Sequence, residues 1–329
     1  MNYKESKEIL EKIKKAKRIL VNCHRSPDPD SIGSATALYQ VLVNMGKVVE
    51  IICPSDEIYQ NVKFLKAFNK IRTVDFTKFD FSKFDLFIAL DSSSWDMVTD
   101  LKEYVSPKIP VVVIDHHKTN KKYGEINIVD DKVTSVGELL YLVLEDWGAE
   151  INKDIATSLL TGIIGDTGVF RYPGTGASTL KVAGKLMEKG ANKDEIVFNV
   201  YQSTDFELIK FWGELLRNAK IDKDCKFVWS AIPYEIYKKL DNLRVGRESS
   251  ASLFAQIVDG TDFGFIAVEQ EPQHLYISFR SRTGLDTSKI AVELGGGGHI
   301  YASGADIKGL SFKEAINKLL EVARKYARA

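Results

Sequence analysis

Short apolar runs that end on polar residues able to bind metal or move protons form the main pattern in this chain. Ile19-Leu20-Val21-Asn22-Cys23 runs into His24-Arg25-Ser26-Pro27-Asp28-Pro29-Asp30. Leu86-Phe87-Ile88-Ala89-Leu90 ends on Asp91, and Pro110-Val111-Val112-Val113-Ile114 ends on Asp115-His116-His117. Short apolar runs bounded by turn residues predict buried strands. A further strand is predicted over 47–53, closed by Pro54. Between the runs the spacing becomes helical. Ile9, Leu10, Ile13 and Ala16 share a face, as do Ala35, Leu38, Val41 and Leu42, the second set in a helix predicted over 32–45 with Ser31 as cap and Gly46 as stop. Helices are also predicted at 59–68, 95–104, 134–147, 152–164 and 176–189. Buried strands alternating with helices predict an α/β fold, a mostly parallel sheet with helices on both faces. The active site of such an open sheet is expected at the carboxyl ends of its strands.

Beyond residue 190 the pattern changes. Residues 192–219 have helical spacing, interrupted near Ser203-Thr204-Asp205, and predict a helical connector. A strand follows at Phe227–Ser230, a helix over 248–258, and a hairpin from Phe263–Glu269 and Leu275–Phe279 around Pro272-Gln273. A helix over 287–294 then meets Gly295-Gly296-Gly297-Gly298-His299, and a last helix covers 311–327. The expected organisation is a first domain over 1–190, a connector over 191–225 and a smaller α/β domain over 226–329.

Composition narrows the classes. The 329 residues carry 45 basic and 45 acidic side chains, which argues against a protein that coats duplex nucleic acid through bulk charge. The three cysteines, Cys23, Cys53 and Cys225, form no CxxC pair, as expected in a reducing compartment. The first residues read as a charged helix rather than a leader, and no apolar run approaches the ~18–20 residues of a membrane helix. The expectation is a cytoplasmic protein without a membrane partner.

The strand-end residues carry the candidate chemistry. Carboxylates mixed with imidazoles, without sulfur, suit Mn²⁺ or Mg²⁺ better than structural zinc. There are more candidate ligands than one ion needs, which suggests two ions sharing a carboxylate. Pro27 and Pro29 hold their loop extended, so Asp28 and Asp30 can reach different ions. The plainer reading is that Asp30 or Ser31 caps the next helix. Asp91 could equally be a strand-end carboxylate bonded to the serines after it. Yet the chain holds only five histidines, and His24, His116 and His117 all lie at two strand ends. Gly165 and Gly168 flank Asp166 and suggest a tight turn aimed at something.

His24-x3-Asp28-x-Asp30, Asp91, Asp115-His116-His117 and Gly165-Asp166-Thr167 together resemble the four motifs of the DHH phosphoesterase superfamily. Gly295-Gly-Gly-Gly-His299-x2-Ala302-x-Gly304 is similar to the signature of its DHHA1 companion domain. The resemblance spans residues 24–304. It points to the stand-alone branch that holds oligoribonuclease/pAp phosphatases and cyclic-di-AMP or pApA phosphodiesterases. It implies that His24, Asp28 and Asp91 hold one Mn²⁺, and that Asp30, Asp91, His116 and Asp166 hold the second. Asp115 and His117 take the remaining motif positions, with His117 toward the scissile phosphate. Gly296, Gly297, Gly298 and His299, with Arg280 and Ser281, would hold the terminal phosphate or nucleotide, and Arg171 would assist near the metals. The implied activity is a Mn²⁺-dependent phosphodiesterase (Mg²⁺ as the alternative) that releases 5′-mononucleotides from pApA, very short RNA and cyclic di-AMP. The alternatives are a pAp 3′-phosphatase using the same residues and a non-catalytic nucleotide sensor. A homodimer is expected from the resemblance alone.

Overall fold

Strands that pair in parallel must bury both faces, and the apolar runs of the first half meet that requirement. The computed structural model describes residues 2–56, 58–103, 106–172, 174–239, 248–298 and 300–327. Strands β1 (Arg18–Asn22), β2 (Val48–Cys53), β3 (Ile71–Thr73), β4 (Leu86–Leu90), β5 (Val111–Asp115) and β6 (Ile126–Val129) form one parallel sheet in the order β3-β2-β1-β4-β5-β6. The edge strands β3 and β6 are too short for the apolar pattern to reveal. Within β4, Leu86, Ile88 and Leu90 face one core, while Phe87 and Ala89 face the other.

Helices cover both faces, but unequally. The helices of this region are α1 (Glu5–Lys15), α2 (Pro29–Asn44), α3 (Trp95–Thr99), α4 (Val136–Trp147), α5 (Lys153–Asp166), α6 (Ala177–Glu188) and α7 (Lys193–Tyr201). The larger core draws on α1, α2, α4, α5, α6 and α7. The opposite face is closed by α3 and a phenylalanine cluster of Phe76, Phe81, Phe84 and Phe87. Two expected helices are much shorter than their spacing implied. The one over 95–104 stops at Thr99, where Asp100 turns left-handed at φ 58°. The one over 59–68 is replaced by single 3₁₀ turns, and Ala67 at φ 72° breaks the run.

The chain divides into two compact units between Ser203 and Thr204. The segment expected as a connector, 191–225, is shared between them. In the first unit α7 buries Ile196 and Val200 in the larger core. In the second, α8 (Phe206–Arg217) buries Phe211 and Leu215 against Val228, Ile232 and Ile266.

The second unit is built on a mixed sheet. Its strands are β7 (Lys220–Asp222), β8 (Phe227–Ile232), β9 (Phe263–Glu271), β10 (His274–Ser281), β11 (Gly297–Gly298) and β12 (Ala302–Lys308), in the order β11-β12-β10-β9-β8-β7. Only β8 and β9 run parallel. Besides α8, its helices are α9 (Tyr234–Tyr237), α10 (Thr287–Glu293) and α11 (Phe312–Ala327). One face packs on α10 and α11 through Phe265, Phe279, Ile290 and Leu319. The expected helix over 248–258 is a 3₁₀ turn, Glu248–Leu253, whose Ala251 sits with Phe254 in the core on the other face. Among the described residues, no helix is long and apolar enough to cross a membrane.

Candidate metal centre

The sheet order fixes where a site can form. From β1 the chain moves outward to β2 and β3, and from β4 it moves the other way to β5 and β6. The connections diverge between β1 and β4, the place where an open α/β sheet is expected to bind ligands at the carboxyl ends of its strands. His24 follows β1, Asp91 follows β4, and Asp115 closes β5.

The loop after β1 sets its candidate ligands through a helix cap. Asp28 is the cap of α2: its Oδ1 accepts from the N–H groups of Asp30 (3.0 Å) and Ser31 (2.9 Å). The helix therefore starts at Pro29, earlier than expected, because proline suits the first helical turn and Asp28 replaces Ser31 as cap. The Ser31 hydroxyl instead accepts from the His24 N–H at 3.1 Å.

Asp30 is fully buried. Its carboxylate accepts from the N–H groups of Val136 (2.6 Å) and Gly137 (2.8 Å), at the electropositive start of α4, and from the Ser34 hydroxyl (3.2 Å). Glycines make this approach feasible. A Cβ on Gly162 would lie 2.3 Å from Asp30 Oδ1, one on Gly33 2.5 Å from the Ser158 carbonyl, and one on Gly137 2.6 Å from the Leu159 carbonyl. Sequence reasoning passed over all three. Their signal was a glycine inside a predicted helix, which costs about 0.5–1 kcal/mol against alanine and so needs a reason.

Asp91 lies at the centre. It is 2 % exposed, and its backbone is left-handed at φ 49°. Its Oδ2 is 3.5 Å from His24 Nε2, whose other neighbour is Asp28 Oδ2 at 3.7 Å. Its Oδ1 is 3.5 Å from His116 Nε2 and 3.6 Å from His117 Nδ1. His116 Nε2 is in turn 3.3 Å from Asp166 Oδ2. Three groups that could hold a metal result: His24 with Asp28 and Asp91, Asp91 with His116 and His117, and Asp30 with His116 and Asp166.

These groups fit a cation on two counts. Asp91 Oδ1 is buried and has no hydrogen-bond partner among the described residues, a costly arrangement unless a cation meets it. The separations of 3.3–3.7 Å are long for hydrogen bonds but suit donors on one ion, where bonds of ~2.0–2.2 Å place neighbours roughly 3–3.5 Å apart.

The electrostatics agree. Burial, Asp91 and Asp28 push the Asp30 carboxyl well above its ordinary range. Burial, Asp30, Asp28 and Asp91 do the same to Asp166, which also sits at the negative end of α5. For His24, burial disfavours the imidazolium, but the nearby carboxylates of Asp28 and Asp91 outweigh it and lift the pKa to about 10. Carboxylates this crowded and buried repel one another, and divalent charge removes the repulsion.

Asp115 has a different position. It is fully buried and belongs to none of the three donor groups. Its Oδ1 accepts from the His116 N–H (2.9 Å) and faces His117 Nδ1 (2.7 Å), and its Oδ2 accepts from Asn120 Nδ2 (2.6 Å). Burial opposes the His117 imidazolium, yet Asp115 and Asp91 raise its pKa to about 9. Asn120, which the sequence did not single out, also donates to the Ser92 carbonyl at 3.1 Å and ties the loops after β4 and β5 together. Another unforeseen residue is Glu138, buried beside Gly137. It accepts from Thr134, Ser178 and Thr179 and so links the starts of α4 and α6.

After Asp166 the chain makes a strained turn. Gly168, Val169 and Phe170 are all left-handed, at φ 54°, 60° and 63°. A β-branched residue there is unfavourable by ~1–3 kcal/mol, and such strain tends to gather at functional sites. Arg171, exposed, donates from Nε to the Gly168 carbonyl at 2.7 Å. No ion pair joins it to the carboxylate cluster among the described residues.

The second unit contains a cavity of about 420 Å³ on the sheet face away from α10 and α11. Arg280, Gly296, Gly297 and Gly298 line it. Ser281 does not: it alternates to the opposite face, is buried, and accepts from the Gly284 N–H. Arg282 turns to Thr261 and Asp259. His299 lies outside the described residues. His274 bonds Asp306 at 2.9 Å and stacks on Tyr276.

Comparison with known proteins agrees with this architecture. Residues 18–163 match the DHH family, N-terminal domain, and residues 247–329 match the DHHA1 domain. The chain is 28% identical over 308 residues to the bifunctional oligoribonuclease and PAP phosphatase NrnA of Thermus thermophilus, covering 93% of this chain and 89% of that protein. It is 25% identical over 328 residues to the cyclic-di-AMP phosphodiesterase GdpP of Bacillus subtilis, covering 95% of this chain and 48% of that protein. An exopolyphosphatase-related protein from Bacteroides fragilis shares the fold, with a TM-score of 0.91, 24% identity, and coverage of 98% and 96% of the two chains. The two domains are matched in order, with the strand ends of the candidate site inside the first, so residues 18–163 form a DHH family N-terminal domain and residues 247–329 a DHHA1 domain.

Proposed function

We propose that this protein is a two-metal phosphodiesterase, using Mn²⁺ or Mg²⁺, that releases 5′-mononucleotides from linear dinucleotides and very short RNA, with cyclic di-AMP as a further substrate. The observation that carries this reading is Asp91, whose two carboxylate oxygens face two separate donor sets. A carboxylate shared between two donor sets could serve a pair of cations. His24, Asp28 and Asp91 would hold one ion, and Asp30, Asp91, His116 and Asp166 the other. When bound, the ions would polarise the phosphate and make water acidic enough to act near neutral pH.

The chain's own residues do the rest. Asp30 is held by the start of α4, so its carboxylate keeps one orientation. Asp115 Oδ1, which can only accept, takes a hydrogen bond from His117 Nδ1–H, and no hydrogen bond among the described residues engages Nε2, the ring edge suited to a phosphoryl oxygen or leaving group. In the second unit, Arg280 and the glycine loop would bind the terminal phosphate or nucleotide through charge and bare backbone amides. Two relatives support the substrate class by name, one an oligoribonuclease and PAP phosphatase and one a cyclic-di-AMP phosphodiesterase. The first name also favours a second reading, a pAp 3′-phosphatase using the same donors. Substrates of this class imply a cytoplasmic enzyme.

The test is a product assay with Mn²⁺ in excess, offering pApA, cyclic di-AMP, a five-nucleotide RNA, pAp and pyrophosphate, with chromatographic separation. AMP released from pApA faster than from the longer RNA is the expected result. Phosphate from pAp alone would move the assignment to the phosphatase. No turnover of any compound by metal-loaded protein would leave a nucleotide sensor as the better reading.

A further inference from the structure

The cavity of the second unit is longer than a phosphate site requires. Along β10, alternate residues share a face, so Arg280, Ser278 and Tyr276 all line it. Four strand positions separate Arg280 from Tyr276, roughly 13 Å at ~3.3 Å per residue. This is about the reach of one nucleotide from phosphate to base. On the neighbouring strand the floor stays low: β12 sets Ala302 and Gly304 opposite Arg280 and Ser278, and Ser303 and Ala305 also border the cavity before Asp306. β9 adds the apolar Ile266 and Val268 and then Gln270. The cavity thus has an end with a cation and bare glycines, a smooth middle, and an end with one aromatic ring, one amide and one carboxylate.

That far end is organised. The Tyr276 ring stacks on His274, with centroids 4.0 Å apart and planes at 28°. His274 Nε2 bonds Asp306 Oδ2 at 2.9 Å, and Lys308 lies 3.3 Å from the same oxygen. These partners fix the carboxylate while occupying only Oδ2. No hydrogen bond among the described residues engages the Gln270 amide or the Tyr276 hydroxyl.

We propose that Gln270, Tyr276 and Asp306 select the base of the nucleotide whose phosphate rests at Arg280 and Gly297. The proposal rests on the nucleotide-binding role assigned above to this unit. A fixed carboxylate can only accept hydrogen bonds, so it pairs with the amino groups of adenine, cytosine and guanine. Uracil has no amino group, and its one N3–H lies between two carbonyl oxygens that repel a carboxylate, so it is disfavoured. Gln270 can donate and accept, and Tyr276 supplies an aromatic wall for the base.

The test is equilibrium binding of AMP, GMP, CMP and UMP to the full chain in metal-free buffer, with ribose 5-phosphate as the base-less reference. Because products are bound and nothing turns over, this result is independent of the product assay. Failure of that assay with base-selective binding here would overturn the enzyme reading alone. The wild type is expected to bind UMP at least fivefold more weakly than the other three. Asp306→Asn should bring UMP to within about twofold of CMP. Tyr276→Ala should weaken all four nucleotides about tenfold relative to ribose 5-phosphate. Gln270→Ala, at a side chain with no partner to lose among the described residues, should compress the spread among bases even if Asp306→Asn folds poorly. Equal binding of the four nucleotides by the wild type, or variants that weaken ribose 5-phosphate as much as the nucleotides, would overturn the proposal. So would an absence of detectable mononucleotide binding.

Discussion

The first unit holds its polar groups inside, whereas the second sets them along the open half of a sheet face. Asp30, Asp91 and Asp115 are at most 2 % exposed, and backbone amides, an amide side chain or imidazoles meet their oxygens. In the second unit, Tyr276, Ser278, Arg280 and Asp306 are each half-buried and line a cavity. A buried carboxylate without a partner is costly, so the first site is also part of the fold. A half-open sheet face can change its side chains without that penalty. The same kind of substitution should therefore act on fold and metal binding in one unit and on ligand binding alone in the other.

The most severe way to test this contrast is Asp91→Ala. It removes both carboxylate oxygens at the centre, and turnover of pApA should fall by more than ~10²-fold. Titration calorimetry with Mn²⁺ should then lose one of its two binding events, and an unchanged rate would end the bridging assignment. Metal removal comes next. Chelation should lower the thermal midpoint of the wild type, because a cation present at ~100 times its Kd stabilises by about 2.7 kcal/mol. The Asp91→Ala protein should show a much smaller shift, and Gln270→Ala the full one. Equal shifts in all three would mean that the cation stabilises the chain elsewhere.

Two smaller changes sharpen the comparison. Asn120→Ala frees Asp115 Oδ2 and should reduce activity roughly 10–100-fold while both ions still bind, as expected for a residue that orients others. Loss of metal instead would make Asn120 part of the metal cage. Glycine-to-alanine changes give the mildest effects and the plainest contrast. Gly162→Ala pushes a methyl into Asp30 and should destabilise by ~1–3 kcal/mol with weaker Mn²⁺ binding. At Gly297 nothing lies within 4 Å of an added Cβ, so stability should stay within about 0.5 kcal/mol. Nucleotide binding should still weaken several-fold if bare backbone is needed there. Gly296 is the internal control: a Cβ there would lie 2.1 Å from the Gly304 carbonyl, so its glycine answers to strand packing.

By itself the sequence determined the α/β architecture of the first unit and the strand ends where its candidate metal-binding residues gather. Strands buried on both faces must be apolar throughout, and a polar residue that ends such a run is conspicuous. The tetraglycine run and the hairpin of the second unit were legible for the same reason, since each is a local pattern. The short strands β3 and β6 were not legible, because three or four residues carry too little alternation. Nor was the helix cap, because Asp28 and Ser31 are equally good caps by type and Pro29 alone moves the start.

Only the tertiary structure decided which oxygens meet. Asn120 reaches Ser92, Gly137 and Gly162 reach Asp30, and Glu138 reaches Thr179, each across elements far apart in the chain, and no local spacing records that. It also separated Arg280 from Ser281, since successive residues on a strand point to opposite faces and only one can line the cavity. Residue types were enough to single out carboxylates and imidazoles that could hold a metal. The orientation of Asp91 between two donor sets arises where the strand order reverses, and that reversal is a property of the folded sheet.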